Sequence, residues 1–373
     1  MNRREFVGGF ASALALSGCR MFPADDGTYS VPILGDTHFD AEPASVYHSH
    51  YKNEGKAEWL WKVQRQEFAR NGEMWRTRCR NLLNASAAVA KATPDAAFIL
   101  QLGDLIQGDC DDAATHRKML ADCVAMLREP YPKGLPFLTV VGNHDFRGKD
   151  AAEAYFDFVE PYLARELGRR VKYPVFSFRH GPDLWIFCHF EQAGAAELIR
   201  EIDSNKDVRH VFLVSHGPFT PGEETGWRWR LGGGWTAAEC EALRRKLMSR
   251  QVVVLSGHTH QTSWWHLAGE GGSYSEFTVN SVWKAQELAT AAPLADMPSQ
   301  YGEWTLANLA KVNEAQVQAY RTDIAPFKKD LKGYFFNLGA GHFRLNVSDS
   351  RVTMDFFPGD AVVPARTFLL KGA

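Results

Sequence analysis

Seven side chains able to hold metal ions stand at the ends of five short apolar runs. Asp36 and His38 follow the run 31–35, Asp104 follows 98–103, and Asn143 follows 137–142. His216 follows 211–215, and His258 and His260 follow 252–257. Carboxylate, amide and imidazole offer oxygen and nitrogen donors, which suit manganese, iron, zinc, cobalt or nickel and need no sulfur. A carboxylate shared between two cations holds them about 3.5 to 4 Å apart, close enough to activate a water and to neutralise charge on an oxygen under attack. Glycine precedes four of the clusters, at 35, 103, 142 and 257, where a side chain would obstruct a tight turn or a close backbone approach.

The elements that must carry these residues follow from the pattern. The five apolar runs read as buried strands, and helical periodicity lies between them at 73–92, 112–128, 150–168, 191–204 and 236–250. The last of these opens with Thr236 and Glu239, spaced as a capping box. Alternating strand and helix places the chain in the α/β class, whose ligands collect at the carboxyl ends of the strands. Runs at 184–190, 275–281 and 343–357, the last broken at Asp349 and Ser350 as in a hairpin, predict antiparallel strands that complete mixed sheets. Two connections are long, 39–72 and 217–235, and such segments are commonly functional.

In order along the chain, Gly35-Asp36-Thr37-His38, Gly103-Asp104, Gly142-Asn143-His144-Asp145, Ser215-His216 and Gly257-His258-Thr259-His260 resemble the motif series of the calcineurin-like metallophosphoesterases. The resemblance implies a four-layer α/β/β/α sandwich and a binuclear centre of two divalent or trivalent ions. Carried over position by position, it assigns Asp36, His38 and His260 to one metal and Asn143, His216 and His258 to the other, with Asp104 bridging them. It implies hydrolysis of phosphate esters, and the wording of the motifs leans towards phosphodiesters over monoesters. His144 adjoins a ligand without being one and is placed to stabilise the transition state or protonate the leaving oxygen; Asp145, also in the catalytic set, orients the loop. Another class of protein, a surface lipoprotein that binds a phosphorylated glycan or lipid without turnover, would have no need of His144 beside a complete ligand set.

One position departs from familiar members. Three residues after Asp104, where many relatives carry an aspartate that pairs with the histidine and purple acid phosphatases carry a tyrosine ligand, stands Gln107. A glutamine can hydrogen-bond His144 but brings no negative charge to steady an imidazolium. Weaker general-acid catalysis, and greater dependence on good leaving groups, is the expectation. Trp227, Arg228, Trp229 and Arg230, in the glycine-rich connection, read equally as contacts to a phosphorylated substrate or as an aromatic loop packed on the body. Trp59, Trp61 and Trp75 favour ordinary packing over a lid, and the histidines outside the motifs, His48 and His189 among them, read as packed or solvated.

The chain of 373 residues is 45% hydrophobic and carries 42 basic against 44 acidic side chains, a balance that excludes the broad positive field of a duplex nucleic-acid binder. Arg3, Arg4 and Phe6, a weakly apolar run, and Leu16-Ser17-Gly18-Cys19 read as an export signal that resembles a twin-arginine leader ending in a lipobox. The expected organisation is a signal peptide over 1–18 and a tether over 19–30 with Cys19 as the lipidated residue. A catalytic core over 31–282 and a C-terminal extension of cap helices plus a hairpin over 283–373 follow. The expected product is a membrane-anchored lipoprotein facing the periplasm or the cell exterior, held by lipid alone and acting on a small-molecule, lipid or glycan phosphate ester.

Overall fold

The computed structural model describes residues 27–51, 57–223, 235–282, 292–309, 311 and 313–372. The export segment with Cys19 and the stretch from Trp227 to Arg230 lie outside the described residues. The first half of the chain forms β1 (Tyr29–Leu34), α1 (Ser45–His48), α2 (Glu58–Arg76), α3 (Arg78–Ala92), β2 (Ile99–Gln101), α4 (Ala113–Arg128), β3 (Phe137–Thr139) and α5 (Ala151–Leu167). Next come β4 (Val175–His180), β5 (Asp183–Cys188), α6 (Ala195–Asp203), β6 (Val211–Val214), α7 (Ala237–Arg250), β7 (Val253–Ser256), β8 (Thr262–Gly269) and β9 (Gly272–Thr278). The chain closes with α8 (Glu303–Leu309), α9 (Glu314–Lys328), β10 (Leu331–Asn337), β11 (Gly341–Val347), β12 (Val352–Pro358) and β13 (Arg366–Lys371).

Two mixed sheets face each other. One has the order β13-β12-β11-β1-β2-β3 and the other β10-β8-β9-β7-β6-β5-β4. Period-two alternation decides which side chains go where. Along β5 to β7, Trp185, Phe187, Phe212, Val214, Val253 and Leu255 join Val31, Ile33, Leu100, Phe343 and Phe356 of the facing sheet in one apolar core. Their neighbours Leu184, Ile186, Val211, Leu213 and Val254 turn the other way, onto Leu198 and Ile202 of α6, Leu243 and Leu247 of α7, and Tyr320 and Ile324 of α9. On the far side of the first sheet lie α3, α4 and α5, contributing Leu82, Leu120, Val124, Val159 and Leu163. The result is the α/β/β/α layering. At its centre Trp185 stacks on Phe212 with ring centroids 4.2 Å apart, and burying side chains of this size contributes about 2 to 3 kcal/mol each.

The parallel strands set up the site. Ile33 pairs with Leu100 and Leu100 with Leu138, while Val214 pairs with Leu255, so within each sheet the strand ends are level. Every ligand-bearing loop therefore leaves from one rim. Strands from beyond residue 282 belong to both sheets: β11 lies directly beside β1, and β10 beside β8. The expected hairpin is β11–β12, closed at Val347 and Val352. The Thr236–Glu239 capping box is formed, with each side chain accepting from the other's backbone.

The connection 39–72 differs from its expectation as a long loop, because most of α2, 19 residues in length, lies in it. The buried face of α2 is Gln64, Phe68, Asn71, Gly72 and Trp75, and Trp75 donates its indole N–H to the Thr37 carbonyl at 2.8 Å. In the C-terminal extension the described helices are α8 and α9, separated by 310–313. Among the described residues no helix is long and apolar enough to cross a membrane.

Candidate metal centre

Four of the seven proposed ligands adopt a left-handed backbone, with φ of 40° at His38, 52° at Asp104, 69° at His258 and 52° at His260. Non-glycine residues are held there at a cost of about 1 to 3 kcal/mol each, which persists only where the surroundings dictate it. The close approach behind them requires glycine: a Cβ on Gly257 would lie 2.5 Å from Asp36 Oδ1, and one on Gly103 2.5 Å from His216 Nδ1. Each sharp turn swings its ligand off the strand end and over the rim.

The side chains meet in two groups of proposed ligands, and a third group joins His38 and Asp104 to His144. Donor atoms of Asp36, His38 and His260 lie within 4.8 Å of one another, as do those of Asp104, His216 and His258. His260 Nε2 is 2.9 Å from Asp36 Oδ2 and 3.0 Å from His38 Nε2. Asp104 stands between the groups, its Oδ2 3.3 Å from His216 Nε2 and 3.7 Å from His38 Nε2. Asn143 Oδ1 reaches His216 Nε2 at 3.1 Å, and His258 Nδ1 lies 3.1 Å from the same nitrogen.

The pattern of partners tests whether cations fit. His216 points Nδ1 at the Leu102 carbonyl, 2.8 Å away, so its proton sits there and Nε2 presents a lone pair. That lone pair faces the carbonyl oxygen of Asn143, the carboxylate of Asp104 and a nitrogen of His258. Acceptors crowd that point, and positive charge there, a bound cation or a second proton on His216, reconciles them. The titration behaviour agrees: burial works against charging His216, yet the Asp104 and Asp36 carboxylates outweigh it and lift the imidazole to about 10. Burial, reinforced by His216, pushes His258 down to about 3, and burial with His144 depresses His38. Burial opposes ionisation of Asp104, but His216 and His144 hold it well below the carboxylate range. His38 and His258 held neutral and Asp104 held ionised are in the protonation state that metal ligands need, whereas His216, held charged by the carboxylates, would exchange its proton for a cation. The donor set fits two cations.

His144 occupies the edge of this cluster. Its backbone N–H donates to Asp104 Oδ1 at 2.7 Å, and its ring stands perpendicular to that of His38 with centroids 4.3 Å apart. Ring Nδ1 lies 3.0 Å from the carbonyl of Gln107, so the backbone, and not the glutamine amide, meets His144. That amide instead accepts from Asn71 of α2 at 2.7 Å. Asp145 faces away from the cluster, fully buried, taking the N–H of Gly142 at 2.8 Å and of Ile106 at 3.3 Å. Burial, then Asp104, raises its carboxyl well above the usual range. It braces the loop that carries Asn143 and His144.

Two residues at this edge were not singled out from sequence. Arg147 packs against the His144 ring and pairs with Asp109, whose carboxylate is buried. Their signal was proximity alone: Arg147 lies two residues after Gly142-Asn143-His144-Asp145, and Asp109 five after Asp104. Elsewhere the histidines pack. His48 pairs with Asp40 at 2.9 Å and stacks on Phe68, and His189 accepts from the Glu191 N–H at 3.1 Å. Trp75 is buried, whereas Trp59 is 66% exposed.

Two facing mixed sheets flanked by helices, with paired aspartate–histidine clusters at the ends of parallel strands, define a dinuclear metal-binding sandwich of the phosphoesterase type. Residues 30–262 match the family model of the calcineurin-like phosphoesterases, and the chain belongs to that family. No curated protein sequence matches it. Among solved structures, a purple acid phosphatase from yellow lupin (Lupinus luteus) aligns over 94% of the chain with a TM-score of 0.51 and 12% identity. The alignment covers 55% of that enzyme, so the chain spans about half its length, and the likeness is one of fold. A dimetal phosphatase from Danio rerio aligns over 93% of the chain and 100% of its own, with a TM-score of 0.48 and 12% identity.

Proposed function

We propose that the chain is an exported, lipid-anchored hydrolase of phosphate esters that prefers diesters to monoesters. The observation that carries the reading is the convergence of Asn143 Oδ1, Asp104 Oδ2 and His258 Nδ1 on His216 Nε2, a donor set that suits a cation. Asp36, His38 and His260 would hold one ion, Asn143, His216 and His258 the other, and Asp104 both. When bound, such a pair supplies Lewis acidity, generating a nucleophile from water near neutral pH and offsetting charge on the phosphoryl oxygens.

The chain's own residues do the rest. A carbonyl can only accept, so the contact with Gln107 keeps a proton on His144 Nδ1 and aims Nε2 at the space beside the cluster. From there the ring, once Nε2 also carries a proton, can donate to a phosphoryl or leaving oxygen. Asp145 holds Gly142 and hence the height of Asn143 and His144 above the strand end. The anchor at Cys19 and a small-molecule, lipid or glycan phosphate ester as substrate complete the proposal.

The test combines elemental analysis with turnover of bis-p-nitrophenyl phosphate and p-nitrophenyl phosphate by residues 20–373. About two metal ions per chain are expected, with the diester turned over faster and activity lost in Asp104→Ala and His144→Ala. Faster turnover of the monoester would reverse the substrate preference. Bound metal without turnover of either ester would turn the reading to a ligand-binding lipoprotein, and absence of metal would sink the centre itself.

A further inference from the structure

The loops after β2 and β3 are zipped together behind His144. Asp109 donates its backbone N–H to the Arg147 carbonyl at 2.7 Å, and Cys110 and Gly148 form a parallel bridge. Gly108 is part of the zip, since a Cβ there would lie 2.3 Å from the His144 carbonyl oxygen. The Asp109 carboxylate is satisfied on all sides: Tyr51 donates to Oδ1 at 3.1 Å, while Gln64 and Arg147 each approach Oδ2 at 2.5 Å. One end of the Arg147 guanidinium is therefore held fast, in a bond between charged groups that resists rotation.

The other end faces the site. Arg147 Nη1 lies 3.1 Å from both Nδ1 and Nε2 of His144. The two ring lone-pair directions diverge, so a nitrogen equidistant from both sits over the face of the ring and donates to neither. A planar cation stacked on a neutral ring is a stable arrangement. It leaves N–H donors of Nη1 unspent beside His144 Nε2, and the side chain remains 30% exposed. An oxygen lodged beside His144 Nε2 lies within reach of Arg147.

We infer that Arg147 is a substrate-contacting residue that binds the leaving oxygen of the scissile ester, so that the enzyme stabilises departing negative charge with a fixed guanidinium where Gln107 supplies no carboxylate to support an imidazolium. The inference rests on the phosphoesterase reading. A bond forms from the oxygen of water to phosphorus, the bond from phosphorus to the leaving oxygen breaks, and its electron pair stays on that oxygen. Arg147 donates a hydrogen bond to it and keeps its own proton; the proton lost by water balances the one the alcohol or phenol finally takes up. Only water is consumed.

The experiment measures kcat/KM for a series of aryl phosphodiesters of graded leaving-group pKa, in the metal-loaded chain and in Arg147→Met and Arg147→Lys. Removal of one such donor is expected to cost about 100-fold on the poorest leaving groups and much less on p-nitrophenoxide, so the dependence on leaving-group pKa steepens. Lysine should restore part of the loss. Because Arg147→Met strands the buried Asp109, the double variant Asp109→Asn/Arg147→Met is measured too, with metal content and thermal melting checked in each. Calorimetric titration with inorganic phosphate gives a second readout, expected about tenfold weaker without the guanidinium. Equal losses across the series with unchanged phosphate affinity would overturn the inference and leave Arg147 a structural residue. If the wild-type chain hydrolyses none of the esters, the phosphoesterase reading falls, and phosphate affinity still decides whether Arg147 holds an anion.

Discussion

The loop leaving β6 meets two buried acidic networks, through His216 at one and through Phe219, Thr220 and Glu223 at the other, and they are built on opposite rules. In the candidate metal centre, Oδ1 of Asp36 and of Asp104 each takes one backbone N–H, while Oδ2 of each faces imidazole nitrogens in place of backbone or hydroxyl donors. A few residues along, Glu223 and Glu276 are surrounded by donors. Glu276 takes the N–H of Phe219 at 2.7 Å and of Thr220 at 2.8 Å, and so fixes the loop leaving His216. Glu223 takes the N–H of Gly302, the N–H and hydroxyl of Thr305 at 3.0 and 2.7 Å, and the hydroxyl of Tyr334 at 2.7 Å, capping the start of α8 from a distant segment. A carboxylate met by donors is complete as it stands. One met by other acceptors is complete only with added positive charge. Burial alone does not separate the two kinds; the identity of the partners does.

The contrast can be broken most severely at Asp104. Asp104→Asn keeps the shape but removes the charge shared by both groups, and turnover should fall by about three orders of magnitude or more, with metal content reduced on elemental analysis. The mutation also takes from His216 the buried carboxylate that supports its charge, so thermal melting without metal should show a lower midpoint. His144→Ala comes next: about 10²- to 10⁴-fold in kcat is expected, with metal content near wild type, measured on the same samples.

On the structural side the effects should appear in stability instead. Burial raises the Glu276 carboxyl from 4.5 to about 7, against the lowering effect of its hydrogen bonds. Between these values the folded chain keeps a proton that the unfolded chain has lost, so this contribution to stability is full below about pH 4.5 and is lost as pH rises through 7. Glu276→Gln should flatten that slope, by at most about 3 kcal/mol over the interval, as read from urea unfolding at pH 4.5 and 7.5. Glu223→Gln turns an amide N–H₂ towards donors and should cost about 2 kcal/mol while leaving metal content intact. The smallest effect is expected at Gln107→Asp, which adds a charge beside His144 and should raise turnover a few-fold on esters with poor leaving groups. No change there would remove any part for position 107 in the chemistry.

Much of this was legible because it is local. Strand ends announce themselves as apolar runs closing in glycine and a polar residue, and the ligand loops follow within four residues of each strand. The capping box at Thr236 and the hairpin at 348–351 are equally short-range. Helix α2 was hidden for a physical reason: its buried face includes Gln64 and Asn71, which look like solvent positions by hydropathy but serve Asp109 and Gln107. Gly72 deepens the disguise, since a residue that weakens helices is needed where the Ala41 backbone passes within 2.7 Å of a would-be Cβ.

The sequence by itself determined the order and chemistry of the ligands, the α/β alternation and the glycines that let the loops close, all properties of residues within a few positions of one another. The tertiary structure supplied the partners: Asp104 turns Oδ2 to His216 and His38, while Asp145, equally buried and also on a loop at the same rim, takes the N–H groups of Gly142 and Ile106. It also decided that Gln107 presents its carbonyl to His144 and that Arg147 is locked by an aspartate held from α2 and Tyr51. Charges and hydrogen bonds take their meaning from partners far apart in the chain, and folding alone brings positions 51, 64, 109 and 147 to one carboxylate.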